Sequence, residues 1–563
     1  MYDIVIRNGS IIDGSGFPAY RADLGIIQGR IASIGRINDR GREEIDAEGH
    51  VVTPGFIDGH THMDAQVFWD PLGSCSCFHG ITTVVMGHCG FTIAPVNADQ
   101  RELVVRNLER AEDMSPDALR AGINWSWTSF AGYLDAVDAL PKGINYVANV
   151  GHSALRTWAM GERAFEQTAT EEDIRRMDAE LKQALQAGAF GFTTSRTPAH
   201  QTSDNRPVAS RLADWNELQQ LVGTVGAQGG MFQLVNEPAS MSPDAQVRDE
   251  YYERLGNLLV SSGVPAGIPL IAGSFSRELM QRMDQWAQSG ARPFGLSHSR
   301  GISVLLTFKT RLPYDSLPEW AEVRSKPLEE QRMLLSDPEI RKRLVAAAHN
   351  GNYGRAVGTE ARKPDYNLMC VLEKPLPPHR TVLEAARERN MDPVEYLIDV
   401  SVRSNFEQFF IQPLRYYDER ELVELMKYPR GVMTFSDAGA HVSQIFDFSI
   451  QTHLLAYWVR ERQTFSLEEA VRMLTFAPAR AWNLSDRGLI REGMAADINV
   501  FDPAALNCTM PAIAADLPTG AKRIVQKSIG IRATIVGGKV FLKDGEHTGN
   551  LAGKLLRRTR SKS

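Results

Sequence analysis

The sequence predicts an α/β fold, a (β/α)8 barrel with a small second domain built from β-strands. Short apolar runs of strand character alternate with helical stretches, which is the pattern of βα units. We count eight such runs, and eight parallel strands close into a barrel. Both ends of the chain, in contrast, consist of short strands and turns. The eight predicted strands are 51–59, 82–87, 145–150, 189–194, 231–235, 268–272, 293–297 and 432–436.

The interval between the seventh and eighth strands is much longer than the others. Helical stretches near 317–350 and 381–401 lie within it. Because structureless loops of that length are improbable, we interpret the interval as an inserted cap followed by the regular crossover.

The first fifty residues and the C-terminal part both contain the turn residues that typically connect the strands of β-hairpins. Asn8-Gly9, Asp13-Gly14 and Gln28-Gly29 separate apolar runs near the start, and 496–502 and 532–541 repeat the pattern near the end. We therefore expect one small domain assembled from both termini. The predicted division is 1–52 and 477–545 for this domain, 53–476 for the barrel with a helical insertion around 300–430, and 546–563 for a basic tail.

Composition narrows the function classes. The chain has 62 Lys and Arg against 68 Asp and Glu, a formal charge of −6 that is small for 563 residues and gives no sign of a nucleic-acid or membrane surface. No apolar run has the length of a membrane span. The start, 1–7, lacks the features of a signal peptide, and five cysteines do not make a disulfide framework. We expect a cytoplasmic enzyme for a small molecule; a homo-oligomer is left open.

The most informative motif is His60-Thr61-His62 at the end of the first strand. Side chains alternate along a strand, so both imidazoles emerge on one face, where they can reach one metal ion. The carboxyl ends of barrel strands are where such folds carry their chemistry. The alternative is two surface histidines in a loop.

Polar side chains follow most of the other predicted strands as well, and their convergence is stronger evidence than any one motif. Cys89 is a potential metal ligand or a buried apolar cysteine. Asp437 could bind metal and act as general base, or cap a helix. His441 could orient Asp437 or the substrate, or simply pack. The full set is His60, His62, His88, Cys89, His152, Arg196, His200, Gln233, Asn236, Glu237, His298, Asp437 and His441.

These residues and their surroundings resemble the amidohydrolase superfamily, and within it the D-aminoacylase (N-acyl-D-amino-acid deacylase) family. The segments that carry the resemblance are 4–14, 53–64, 80–96, 149–156, 190–197, 434–441 and 475–502. The resemblance implies a distorted (β/α)8 barrel, a β-sandwich from both termini, and zinc-dependent amide hydrolysis. It also implies that His60, His62, Cys89 and Asp437 are metal ligands, with Asp437 as general base.

The chain departs from the family pattern at two strands. The family has a histidine on strand five where this chain has Gln233, and the sixth strand, 268–272, ends without the expected histidines. Either the chain holds one zinc ion with His60, His62, Asp437 and Cys89, or His298 or Gln233 replaces the missing histidines. Of one or two ions, we expect one to be fully occupied. His152, Arg196, His298 and His441 are the predicted substrate-binding residues. Arg196 could pair with a substrate carboxylate, or form a structural salt bridge.

The leading function is hydrolysis of N-acyl (D-)amino acids or related acyl or cyclic amides. Two rivals stay open on the same barrel: a lactone or ester hydrolase or decarboxylase, and a degenerate barrel that only binds.

Overall fold

The computed structural model describes residues 1–273, 275–357, 359–360 and 362–559. The chain begins with five strands: β1 (Tyr2–Ile11), β2 (Tyr20–Ile27), β3 (Arg30–Gly35), β4 (Gly41–Asp46) and β5 (Val51–Pro54). No helix in the described ranges combines the length and apolar character that a membrane crossing requires.

Strands and helices then alternate, as predicted. The elements are β6 (Phe56–Asp58), β7 (His60–Thr61), β8 (Ile81–Met86), α1 (Arg101–Glu109), α2 (Pro116–Gly122), α3 (Phe130–Ala139), β9 (Asn145–Ala148), β10 (Val150–Gly151), α4 (His152–Met160), α5 (Glu171–Ala187), β11 (Gly191–Thr194), α6 (Trp215–Ala227), β12 (Met231–Leu234), α7 (Ala245–Ser262), β13 (Pro265–Pro269), α8 (Ser276–Gln288) and β14 (Arg292–Ser297).

The long interval contains strands as well as helices. Its elements are β15 (Ser303–Leu306), α9 (Pro318–Arg324), α10 (Leu328–Leu334), α11 (Pro338–Asn350), β16 (Cys370–Leu372), α12 (Val382–Glu388), α13 (Pro393–Arg403), β17 (Phe409–Pro413) and α14 (Glu419–Lys427). The three strands form an antiparallel sheet in the order β15-β17-β16. The interval packs around its own apolar cluster, in which Tyr314 and Trp320 stack.

The rest of the chain returns to the first strands. Its elements are β18 (Gly431–Met433), β19 (Phe435–Ala438), α15 (Ile450–His453), α16 (Leu467–Leu474), α17 (Phe476–Ala481), β20 (Ile498–Phe501), β21 (Asn507–Cys508), β22 (Ala512–Ala514), β23 (Arg523–Val525), β24 (Ser528–Ile529), β25 (Ile531–Val536), β26 (Lys539–Lys543) and β27 (Glu546–His547).

Parallel sheets occupy the middle of the molecule. One has six strands in the order β10-β11-β12-β13-β14-β18, one has the order β6-β8-β9, and β19 pairs with β7. Most of these strands are buried along their whole length, as parallel strands covered by helices usually are.

All eight predicted strand regions contain a strand. The sixth was predicted as 268–272 but is observed at Pro265–Pro269. Pro265 is tolerated because it is the first residue of its strand, a position that needs no ladder hydrogen bond from proline.

Strands from both ends of the chain share one sheet. Its order is β27-β26-β25-β20-β5-β1-β2-β3, with β4 pairing β1. Strand β5, the first part of the predicted first strand, pairs with β1 and β20. The polypeptide leaves this sheet at β5 and runs directly into β6 and β7, which carry the histidine motif.

Candidate metal centre

Four of the predicted residues meet at one place. The ligand atoms of His60, His62, Cys89 and Asp437 all lie within 4.8 Å of one another. Asp437 Oδ1 is 3.0 Å from His60 Nε2 and 3.5 Å from His62 Nε2. Cys89 Sγ is 3.5 Å from His60 Nε2. Side chains from distant parts of the chain thus surround a space of the size of one ion.

Strand pairing brings these segments together. β7 and β19 run parallel, with His60 opposite Phe435 and Thr61 opposite Ala438. The pairing continues past β7, where the backbone N–H of His62 donates to the carbonyl of Ala438 at 2.7 Å. Asp437 lies in the irregular part of this register, and its carboxylate approaches both imidazoles.

Two of the four residues have unusual backbone conformations. Cys89 and Asp437 both have φ of +54°, in the left-handed region that residues other than glycine seldom adopt. Such conformations cost free energy and persist where the surrounding structure enforces them, commonly at functional sites. In Cys89 and Asp437 this backbone carries side chains that point into the cluster.

The charges of the cluster suit a cation. Burial would raise the pKa of Asp437, but the imidazoles of His60 and His62 outweigh it and hold that pKa well below its usual range. Burial raises the pKa of the Cys89 thiol well above its usual range, so a nearby cation is required for it to act as thiolate. The carboxylate of Asp437 and the imidazole of His60, whose pKa burial lowers, are therefore ready to bind. Burial would lower the pKa of His62, but Glu112 and Asp437 raise it to about 9, so an arriving cation displaces a proton from His62 as well as from Cys89.

Hydrogen bonding supports the same conclusion. His60 Nδ1 and both ring nitrogens of His62 are buried without a hydrogen-bond partner among the described residues, although buried polar atoms are normally bonded. Two imidazoles, a thiolate and a carboxylate form a donor set typical of zinc. The side chains present therefore fit a divalent cation of this kind.

Two predicted substrate-binding residues are engaged in internal contacts. Arg196 makes a bidentate salt bridge to Glu237: Nε donates to Oε1 at 2.9 Å, and Nη2 donates to Oε2 at 2.8 Å. Its guanidinium lies over the ring of Trp215. His152 uses both ring nitrogens, one with Thr194 at 2.8 Å and the other with Glu217 at 2.7 Å. For Arg196 the structure thus contains the salt bridge that was the alternative interpretation.

The other two predicted substrate-binding residues lie closer to the centre. His298 is buried against Phe435, and neither of its ring nitrogens has a hydrogen-bond partner in the described part of the chain. Burial lowers its pKa to about 3, so the ring is neutral. His441 Nδ1 lies 2.8 Å from the hydroxyl of Thr359, a residue of the long interval. A residue of that interval therefore contacts His441.

Neither proposed replacement ligand belongs to the four-residue group. Gln233 Oε1 accepts from the backbone N–H of Cys89 at 3.4 Å and lies 3.3 Å from His88 Nδ1. Gln233 thereby supports the loop that carries Cys89, and His88 stacks on the ring of His60 at 4.2 Å. His298 is likewise outside the group.

Sequence reasoning missed Glu112, which lies between α1 and α2. Its side chain is 1% exposed, and Oε2 is 3.7 Å from His62 Nε2 and 3.5 Å from His441 Nε2. Burial raises the pKa of this carboxyl to about 8, although His62 opposes the shift. No periodicity or motif marks Glu112, because it follows a helix in an ordinary polar stretch, 109–113.

Comparisons with known proteins agree with the geometry. The chain is 27% identical to D-aminoacylase of Alcaligenes xylosoxydans xylosoxydans, over 99% of this chain and 98% of that protein. A solved D-aminoacylase structure superposes with a TM-score of 0.65 at 24% identity, covering 99% of this chain and 100% of the other. N-acyl-D-glutamate deacylase from Bordetella bronchiseptica, complexed with zinc and a phosphonate inhibitor, gives 0.63 at 23%, with the same coverage.

The two structural likenesses establish a shared fold. The model of the amidohydrolase family matches residues 43–240 and 377–541, which is more than half of the chain and includes all four residues of the cluster. The chain belongs to the amidohydrolase family.

Proposed function

We propose that this protein is a zinc-dependent hydrolase that cleaves the amide bond of N-acyl D-amino acids or closely related acyl amides. The observation that carries the proposal is the group of His60, His62, Cys89 and Asp437, found in a chain whose relatives include D-aminoacylase and N-acyl-D-aspartate deacylase. We expect one ion to be well occupied, since Gln233 stands where the family has a ligand.

The four residues would hold the zinc ion. When bound, zinc lowers the pKa of water and polarises a carbonyl group. Asp437 then acts as the base: its carboxylate takes the proton of the attacking water as the new C–O bond forms at the acyl carbon. The same carboxylate passes the proton to the amide nitrogen as the C–N bond breaks, which leaves a carboxylic acid and a free amine.

Substrate recognition is assigned to His298 and Arg415, which line one cavity. His298, whose ring nitrogens have no partner within the described ranges, is placed to donate to the acyl oxygen. Arg415 is exposed to solvent and belongs to the lining of this cavity. We assign the substrate carboxylate to Arg415, because Arg196 and His152 would first have to leave Glu237 and Glu217.

The proposal extends to the architecture. The parallel strands are consistent with a single distorted barrel, because β6 and β7, β9 and β10, and β18 and β19 are successive pieces of three strands that link the sheets. We assign 53–476 to this barrel with its insertion around 300–430, 1–52 and 477–545 to a β-sandwich, and 546–563 to a tail. A cytoplasmic location is part of the same proposal, and a homo-oligomer stays open.

The test is the Asp437→Asn variant, assayed with the zinc-loaded protein. We expect wild type to hydrolyse N-acyl-D-amino acids in preference to lactones and esters, and the variant to lose at least about a thousandfold in kcat, since its amide cannot accept the proton. Circular dichroism of both proteins is the control that the variant is folded.

A folded, metal-loaded variant that turns over at the wild-type rate defeats the proposed mechanism. Preference for lactones over amides in the wild type defeats the proposed substrate class.

A further inference from the structure

The strongest unexplained feature is the buried carboxylate of Glu112. Neither of its oxygens has a hydrogen-bond partner among the residues that the structure describes, and the side chain is 1% exposed. Its titratable neighbours within ion-pair distance are His62 and His441, at 3.7 and 3.5 Å. A carboxyl group removed from water is stable either when it is protonated, which the raised pKa of Glu112 favours, or when it coordinates a cation. The unpartnered oxygens and the ring of His62 beside them provide the geometry for the second state.

The position of Glu112 relates it directly to the metal centre. His62 Nε2 is 3.5 Å from Asp437 Oδ1 and 3.7 Å from Glu112 Oε2. That nitrogen has no hydrogen-bond partner of its own in the described ranges. A cation bound at His62 Nε2 thus has carboxylate oxygens available from two different segments of the chain.

His441 fixes the position of this carboxylate through its backbone and its side chain. Its backbone N–H donates to the carbonyl of Glu112 at 2.5 Å. Its Nδ1 is held by the hydroxyl of Thr359, which leaves Nε2 facing Glu112. His441 has φ of +49°, so an uncommon backbone conformation supports this arrangement.

We propose that Glu112 is a ligand of the metal centre, and that His441 positions it. This inference rests on the metal dependence in the proposed function. Glu112 supplies an anionic oxygen in a chain whose fifth strand offers the neutral amide of Gln233, which is already bonded to Cys89 and near His88. Carboxylates bind zinc at about 2.0–2.2 Å, so a small movement of this side chain towards the ion completes the bond.

The test compares Glu112→Gln with wild type in a zinc-chelator competition, which measures metal affinity without assaying turnover. Glutamine has the same shape and is a poor zinc ligand, so we expect the dissociation constant for zinc to rise at least about tenfold. Glu180→Gln is the matched control, because Glu180 is also a buried glutamate and its carboxylate accepts from the backbone N–H of Phe130. We expect that variant to keep wild-type affinity.

A folded Glu112→Gln protein with wild-type zinc affinity overturns the inference. Should that variant fail to fold, the crystal structure of zinc-loaded wild type decides: a Glu112 oxygen at about 2.0–2.2 Å from the ion supports the inference, and a separation beyond about 3 Å overturns it. If the wild-type protein binds zinc but Glu112 does not coordinate the ion, only this inference is wrong. If the wild-type protein binds no zinc, the proposed function is wrong as well.

Discussion

At the scale of single residues, the structure distinguishes Arg196 from Arg415, an arginine that no sequence motif marks. Arg196 follows the fourth predicted strand and is paired with Glu237 at 2.8 and 2.9 Å. Arg415 is in the long interval, is exposed to solvent and lines the cavity that contains His298. An arginine with a buried carboxylate partner stabilises the fold, whereas one without such a partner is available to a substrate.

This difference leads to opposite outcomes for two glutamine substitutions. Arg196→Gln leaves the Glu237 charge unpaired, so we expect it to lower the free energy of unfolding by about 3 kcal/mol. Arg415→Gln should leave stability unchanged and raise KM for an N-acyl-D-amino acid at least about tenfold, with little change in kcat. Chemical denaturation and steady-state kinetics measure the two effects. A raised KM with unchanged stability in Arg196→Gln would reverse the assignment.

The predicted ligand residues could be found from the sequence because their side chains are of types that bind metal ions and because they follow predicted strands. His60 and His62 follow a strand that the apolar pattern reveals, and Asp437 ends another. Glu112 could not be found in this way. A carboxylate after a helix is usually exposed, and only the three-dimensional structure shows that this one is buried beside His62 and His441.

At the scale of elements, a segment could be predicted from the sequence where it is long and has a clear amphipathic or capping pattern. The helix α5, Glu171–Ala187, lies between two of the predicted strands, as the predicted alternation of strands and helices requires. Its amphipathic pattern is clear, and Thr170 and Asp173 form a reciprocal capping box at its start. The strands β15, β16 and β17 were not predicted, since they have three to five residues and lie among helical stretches.

The capping box provides a test at this scale. The Thr170 hydroxyl accepts from the N–H of Asp173 at 3.2 Å, while the Asp173 carboxylate accepts from the N–H of Thr170 at 3.0 Å. We expect Thr170→Ala to cost about 1 kcal/mol, seen as faster hydrogen exchange in the first turn of α5. Thr170→Ser keeps the hydroxyl and should exchange as wild type does. Equal exchange in all three proteins would show that the cap contributes nothing.

At the scale of the whole molecule, the centre joins parts of the chain that are far apart in sequence. His60 and His62 come from the segment that leaves the terminal sheet, Asp437 comes from beyond the long interval, and Thr359 within that interval contacts His441. An ion held by these residues would stabilise the folded state relative to the unfolded chain, because ligands on distant segments are gathered only when the protein is folded.

The most direct test is elemental analysis of the purified protein together with X-ray absorption at the metal edge, repeated on the His60→Asn, His62→Asn double variant. The assignment of the centre predicts at least one divalent ion per wild-type chain, with one sulfur and several nitrogen or oxygen ligands, and loss of that ion in the folded double variant. Wild type without metal after zinc loading, or a double variant that keeps the same sulfur-containing site, would contradict it.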